Sequence, residues 1–402
     1  MRERERFDVV IVGAGPAGTA AAITACDLGL DAALVDKAAF PRDKTCGDGL
    51  TTGALRLLEG LGLAFGELPS YASVRETVLV SPSGRQVVLP LPVDGQYAGV
   101  VPRAELDAAL VALARRRGAD VREGVAATGL AAHAGGVTVE LADGSALGAR
   151  FVIAADGHFS AVRRLLRPDQ PADLGTWHAF RQYYRRVDDD RLWVLFEPDL
   201  LPGYAWVFPL PDGRANVGFG VTRRPGVSGK QLKATWERLL ERDRLRAILG
   251  PDAEPERAHR AWPIPARLDP ARLSDERVLY AGDAAAVVDP MTGEGIAQAL
   301  ETGIAAARAV ARGGDVAAVA SRYRRAVTRA LGADLRFAAA LQRVLASPLG
   351  ARAALRAVDL GPWTRRNFAR WMYEDYPRAL LLTPRRWRRG AFRRSGAYRR
   401  AA

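Results

Sequence analysis

Thiols are nearly absent: the chain of 402 residues holds two cysteines, Cys26 and Cys46. That excludes a disulfide framework and leaves too few soft ligands for a zinc or iron–sulfur centre, so no metal site is expected and a reduced, cytoplasmic setting is. Also lacking is any apolar run near the roughly 18 to 20 residues that a membrane span needs. Met1-Arg-Glu-Arg-Glu-Arg leads straight into the first apolar segment, so no secretory leader is expected either. Lysine is confined to Lys37, Lys44, Lys230 and Lys233, so nearly all of the 58 basic residues are arginine, a compositional bias. Acids are missing from Pro377 onward, where nine arginines carry +9 of the net +13 and leave +4 for the other residues. Charge gathered at one end, with no recognisable reading module, gives no reason to expect a nucleic-acid partner. No internal repeat or low-complexity linker breaks the chain, and its 49% hydrophobic content suffices for a large core in two or three subdomains.

What is present begins with Phe7-Asp-Val-Val-Ile-Val-Gly13-Ala-Gly15-Pro-Ala-Gly18. Asp8 to Val12 reads as a buried parallel strand and Pro16 to Leu28 as an alanine-lined helix that lies close to a sheet. Gly13 allows the tight turn, Gly15 lets backbone approach a pyrophosphate, and Gly18 lets the helix approach the strand. A diphosphate there meets free N–H groups at the positive end of a helix. The next apolar run, Ala32 to Val35, ends in Asp36, an acid suited to ribose hydroxyls.

Lys37 to Thr51, which contains Pro41-Arg-Asp-Lys-Thr-Cys46-Gly-Asp-Gly49, is too rich in turn-formers and charge for a regular element and reads as a functional loop. Thr51 or Thr52 caps a helix through Leu61, and Val74 to Val80 with Gln86 to Leu91 form a hairpin. A helix beginning near Arg103 is followed by strands at Val121, Val137 to Leu141 and Phe151 to Ala154; the last of these opens into Asp156-Gly157. Aromatic-rich strands occupy about 170 to 265, interrupted by one helix from Gly229 to Leu249. Val278 to Ala284 returns to the nucleotide-type pattern. Helices then run from Ile296 to about Arg312 and from Val316 to Leu345. Tyr204, Trp206 and Phe208 alternate and so share one face of a strand, either a sandwich core or the wall of a cavity.

These separated signatures together resemble the geranylgeranyl reductase family of FAD-dependent oxidoreductases, within the para-hydroxybenzoate-hydroxylase-like fold group. The resemblance covers roughly residues 5 to 345 and rests on the three glycines with Asp36, the Cys46 segment, Asp156-Gly157, Tyr204-x-Trp206-x-Phe208-Pro209, Gly282-Asp283 and Gly293-Glu-Gly295. It implies an α/β (α+β overall) fold: a Rossmann-type FAD-binding domain, an inserted antiparallel-sheet substrate domain and a helical C-terminal region. The expected boundaries are 1–70, 96–168 and 266–315 for the first, 71–95 and 169–265 for the second, and 316–384 for the third, with a basic tail at 385–402.

The resemblance also implies roles. FAD is held by Gly13, Gly15, Pro16, Ala17 and Gly18, by Asp36 and Lys37, by Cys46 and Gly47, by Arg103, and by Asp156 and Gly157. Gly282 and Asp283, Pro290, Gly293, Gly295 and Ile296 complete the set. Among these, Arg103 is expected at the diphosphate or ribose, and Gly293 to Ile296 at the pyrimidine edge of the flavin, where a helix N-terminus favours negative charge. Cys46 is the candidate catalytic residue, and Tyr204, Trp206, Phe208 and Pro209 are the candidate substrate wall. The implied reaction saturates C=C bonds of an isoprenoid lipid or prenylquinone, with NAD(P)H or ferredoxin as electron donor. An aromatic monooxygenase is the alternative, with a flavin halogenase or a non-catalytic basic binding protein behind it. The arginine-rich tail, interleaved with Trp387, Phe392 and Tyr398, suits an anionic membrane surface and a peripheral position on the inner face of the membrane. No motif speaks to oligomeric state.

Overall fold

The computed structural model describes residues 5–92, 95–169, 175–224 and 229–379. The tail at 385–402, on which the membrane expectation was placed, lies outside them.

The apolar run at the start forms the strand Glu5–Val12, central in an eight-stranded sheet. Its neighbours are both parallel: Val9 stands opposite Ala32 of Ala32–Val35 on one side and Phe151 of Ala146–Ala154 on the other. Asp120–Arg122 and Val278–Tyr280 extend the sheet outward. Gly136–Leu141 and Ala127–His133 pair antiparallel beyond Ala146–Ala154. The second of these strands is not apparent in the sequence, since Ala127–His133 is small, polar and exposed at its end.

Ten α-helices lie among the described residues: α1 (Pro16–Asp27), α2 (Thr52–Gly60), α3 (Arg103–Arg116), α4 (Ala161–Leu166), α5 (Gly229–Leu240), α6 (Asp243–Leu249), α7 (Ile296–Ala311), α8 (Val316–Leu345), α9 (Pro348–Val358) and α10 (Pro362–Met372). α1 packs on α7 almost backbone to backbone, because a Cβ on Gly303 would lie 2.0 Å from the Ala17 carbonyl oxygen. The alanines of α1 are there to permit this approach. Thr51 is the cap of α2, accepting from Ala54 N at 3.2 Å, while Thr52 donates to the Tyr97 carbonyl at 2.5 Å. The single helix expected from Gly229 to Leu249 is two. Arg242 leaves helical geometry at ψ 130° and donates through Nη2 to Asp199 at 2.8 Å, breaking the run between α5 and α6.

A second eight-stranded sheet has the order Glu254–Pro255, Trp177–Arg185, Arg214–Thr222, Tyr204–Leu210, Leu192–Leu195, Glu76–Val80, Gln86–Pro90, with Arg260–Ile264 also on Trp177–Arg185. It is antiparallel except where Leu192–Leu195 runs parallel to Glu76–Val80. One face buries Phe219 against Trp236 of α5, rings stacked at 6.0 Å; the other faces the first sheet. A third, three-stranded sheet joins Gly49–Thr51, Ala98–Val100 and Ala72–Ser73. Part of the expected loop is therefore strand. No helix among the described residues is long and apolar enough to cross a membrane.

Candidate functional site

Between the two large sheets lies a cavity of about 670 Å³, polar at one end and apolar at the other. The polar end is built on the three glycines, which do different work. At Gly13, φ is +102° and a Cβ would sit 2.3 Å from the Ala155 carbonyl oxygen; at Gly18 it would sit 1.7 Å from the Gly13 carbonyl. Both positions are closed by the protein's own backbone. Gly15 is different: its φ is −74°, and the nearest atoms to an added Cβ are the guanidiniums of Arg42 at 3.8 Å and Arg103 at 3.9 Å. It faces the cavity as the uncapped N-terminus of α1. Arg103 is held rigid by Asp107, with Nε donating to Oδ1 at 2.8 Å and Nη2 to Oδ2 at 2.7 Å. Arg42 Nη1 lies 3.2 Å from the same carboxylate. Two guanidiniums around one acid leave a surplus positive charge beside Gly15 and the helix N-terminus, which suits a diphosphate.

Other groups at this end fit a sugar. Asp36 lines the cavity while accepting from Ala14 N at 2.6 Å and Ala38 N at 2.8 Å, so its carboxylate also fastens the loop ends. Asp156 accepts from Val162 N at 3.0 Å through Oδ2, whereas its Oδ1 is buried with no partner among the described residues. An orphaned acceptor on a cavity wall calls for a ligand hydroxyl. Asp283 lines the same wall beyond Gly282. The ammonium of Lys44 faces it, over the Trp262 ring at 3.9 Å, and burial pushes its pKa down to about 8 against the pull of Asp283.

In the middle, the Cys46 segment lies against the aromatic wall. A Cβ on Gly47 would be 3.4 Å from Phe208 and 3.5 Å from Trp206. The segment is tied there by Asn216, whose Nδ2 donates to the Cys46 carbonyl at 2.8 Å and to Asp48 Oδ2 at 2.7 Å while its Oδ1 accepts from Trp206 Nε1 at 3.0 Å. Tyr183 donates its hydroxyl to Asp48 at 2.6 Å. Burial still raises Asp48 to about 6, against these two hydrogen bonds. The Cys46 sulfur accepts from Asp48 N at 3.3 Å, and burial raises the thiol above its ordinary value. It is therefore a protonated thiol at neutral pH.

At the start of α7, Glu294 takes a position the sequence reading left to its flanking glycines. Its Oε1 accepts from Ile296 N at 2.9 Å and Ala297 N at 3.0 Å. The helix terminus expected to stabilise a flavin anion thus already carries a carboxylate across two of its N–H groups. Glu294 shares its burial with Glu374, Asp289 and the Arg378 guanidinium, which lies 3.3 Å from Glu374 and 3.6 Å from Asp289. Two buried glutamates beside that one cation cannot both ionise cheaply. Burial, followed by the Glu374 charge, pushes Glu294 up to about 8.

The apolar end is walled by Tyr204, Trp206 and Phe208, with ring centroids spaced 6.0 and 5.9 Å apart. The Tyr204 hydroxyl donates to the Thr292 carbonyl. Opposite stand Leu355 and Val358 of α9 and Phe368, Trp371 and Met372 of α10.

Of the expected site residues, Gly18, Pro209 and Pro290 do not line the cavity. Gly18 is used up in the contact with Gly13, strand alternation sends Pro209 to the face opposite Phe208, and the Pro290 carbonyl accepts from Gln342 at 2.5 Å. The remaining ones, from Gly13 to Ile296 and including Lys37, Gly157 and Gly293, all meet at this one cavity. Asn216, Asp48, Tyr183, Glu294, Glu374 and Arg378 were missed. An asparagine amid the apolar residues of Arg214–Thr222 was the available signal, since a buried amide requires partners. Glu374 and Arg378 carried none.

A profile of the FAD binding domain matches residues 6–320. The chain is 34% identical to a menaquinone reductase of Mycolicibacterium smegmatis, over 77% of each chain. It is 33% identical to digeranylgeranylglycerophospholipid reductase 1 of Methanopyrus kandleri, over 74% of this chain and 78% of that one. Its fold matches a geranylgeranyl bacteriochlorophyll reductase-like protein of Thermoplasma acidophilum with a TM-score of 0.78 at 23% identity, covering 96% of this chain and all of that one. Matches of this extent, on a chain that brings three separated glycine motifs to one cavity, place it in a family: it belongs to the FAD-dependent oxidoreductases of the geranylgeranyl reductase type.

Proposed function

We propose that the protein saturates C=C bonds in the isoprenoid chain of a lipid or prenylquinone, with the menaquinone tail as first candidate. The observation that carries this reading is the division of the cavity: a cationic glycine cradle at one end runs without a barrier into an aromatic and aliphatic trough at the other, with Cys46 at the junction. Bound FAD supplies the hydride.

The chain's own residues do the rest. Gly15, the α1 N-terminus, Arg103 and Arg42 hold the diphosphate; Asp36, Asp156 and Asp283 take the polyol hydroxyls; the backbone from Gly293 to Ile296 meets the flavin edge. Tyr204, Trp206 and Phe208 exclude water and lay the alkene flat. An alkene carrying no carbonyl needs a proton at its second carbon, and in this reading the Cys46 thiol, kept protonated by burial, gives it. The electron donor is NAD(P)H or ferredoxin. A monooxygenase is less well supported, because relatives 33–34% identical over about three quarters of the chain are named as reductases.

The test is direct. Photoreduced enzyme incubated anaerobically with menaquinone, or with geranylgeranyl lipid, is expected to give products heavier by two hydrogens per bond by mass spectrometry. Unchanged substrate with fully reduced flavin, or a product gaining oxygen in air, refutes it.

A further inference from the structure

We infer that the outer face of α9, with the corners that join it to α8 and α10, is a docking surface for an anionic lipid bilayer. Five of the eight large apolar side chains exposed among the described residues fall between Phe337 and Trp363. Leu349 is 75% exposed, Leu360 79% and Trp363 66%, values ordinary for lysine and not for tryptophan in a stable monomer. They are not scattered. Val344 and Leu349 share the α8–α9 corner, where a Cβ on Gly350 would lie 2.0 Å from the Val344 carbonyl. Leu360 and Trp363 share the α9–α10 corner, about 16 Å away along the 11 residues of α9.

Between the corners α9 has two distinct faces. Ala351, Leu355 and Val358 turn inward, and Leu355 and Val358 line the cavity. Leu349, Arg352, Ala353 and Arg356 fall on the opposite side at helical spacing and are exposed. From 336 to 366 the chain holds six arginines and one acid, Asp359. That acid is already engaged by Arg85 and by Arg365 at 2.7 Å. Arg343, Arg352, Arg356 and Arg366 are exposed with no ion-pair partner among the described residues.

Apolar corners flanking a basic helix face make the pattern of an interfacial helix, in which side chains enter the acyl boundary and guanidiniums meet phosphates. A second copy of the chain fits poorly, because a twofold contact sets this face against itself and doubles its unpaired charge. The position also matters. One helix thickness separates the surface from the apolar end of the cavity, so a prenyl chain leaving the bilayer has the shortest route past α9. That last step rests on the function proposed above. Binding itself does not, and is read without turnover.

The experiment uses the full chain. Vesicles of phosphatidylcholine with about one third phosphatidylglycerol are compared with pure phosphatidylcholine by flotation, and tryptophan quenching is read with brominated acyl chains. Binding is expected only to the anionic vesicles. Each cation lost from Arg352→Gln/Arg356→Gln is expected to weaken it about fivefold. The quenching difference between wild type and Trp363→Phe isolates Trp363 from the other seven tryptophans and is expected to show its ring among the acyl chains. Leu360→Glu is expected to abolish that insertion with an unchanged melting temperature, since its side chain is already in water. Vesicle binding without Trp363 quenching assigns the attachment elsewhere, for instance to 385–402, and overturns the inference. No binding overturns it too, as does a dimer in light scattering that Leu360→Glu dissolves.

Discussion

Replacing Asn216 by alanine tests whether the Cys46 segment is held from the substrate sheet. Asn216 is fully buried and serves three partners at once: the Cys46 carbonyl, the Asp48 carboxylate and the Trp206 indole N–H, at 2.8, 2.7 and 3.0 Å. The substitution leaves the first and third without a partner and halves the hydrogen bonding of the second, which keeps Tyr183. At about 1–3 kcal/mol for each buried group left unsatisfied, and less for Asp48, the loss comes to about 2 to 7 kcal/mol. The pH dependence has a definite sign. Asp48 stands near 6 in the folded protein against an ordinary 3.8, so stability falls as pH rises through that interval. Removing a donor to the charged form raises Asp48 further and extends the falling interval upward. The deficit of Asn216→Ala should therefore be larger at pH 7.5 than at pH 5. Urea denaturation of the ligand-free protein at both pH values measures it. A loss below about 1 kcal/mol, or equal deficits at both pH values, would refute the assignment of these bonds.

The three glycines predict contrasting variants. Gly15→Ala should leave the unfolding of the ligand-free protein unchanged while lowering FAD retention at least tenfold, because its Cβ meets only open cavity; Gly13→Ala and Gly18→Ala should fail to fold. Equal FAD content in Gly15→Ala and wild type would remove Gly15 from the diphosphate site. Glu294 has a raised folded pKa of about 8, so its contribution to stability is complete below about 4.5 and is lost as pH rises toward 8. Glu294→Gln keeps an oxygen for the α7 N–H groups and removes the titration, so it should match wild type near pH 5 and exceed it by a few kcal/mol at pH 8; parallel stability profiles would contradict this. Cys46→Ala should leave flavin reduction by the donor intact and slow reoxidation by prenyl substrate about 100-fold or more, as loss of a general acid does. Reoxidation at the wild-type rate in rapid mixing would take the proton from elsewhere.

The first sheet was legible because its signals are local. A buried strand, a turn that only glycine can make and a small-residue helix are each written in a dozen consecutive residues, and α8 begins and ends at the residues that the periodicity gives. Strand alternation likewise put Tyr204, Trp206 and Phe208 on one wall. The far side of the cavity was not legible. Glu374 and Arg378 lie more than 80 residues from Asp289, and α9 reaches the trough only after α8 has crossed the molecule; no short-range pattern records such contacts. Asn216 belongs to a middle case, since its burial was readable but its partners were not.

The Cys46 segment shows why local signals stop short of the chemistry. On one side it is fixed to the first sheet and its helices: Phe40 N donates to Glu123 at 2.7 Å, Arg42 meets Asp107, and Val101 N donates to the Asp48 carbonyl at 3.1 Å. On the other it is fixed to the second sheet: Arg181 and Arg260 pair with Asp43, Lys44 lies over Trp262, and Asn216 and Tyr183 hold Asp48. A segment of this composition, left to itself, is disordered. Here Arg42, Asp43, Lys44 and Asp48 spend their bonding on one sheet or the other, and the thiol between them is left with the Asp48 N–H and the flank of Arg103. The position of Cys46 is therefore a property of how the two sheets are docked. A substitution that shifts one sheet by an ångström, even far from the cavity, moves the thiol relative to the aromatic wall, and reactions that depend on near-contact distances respond steeply to that. The richness in charge and turn-formers that made the segment unreadable as structure is what lets it answer to both sheets at once.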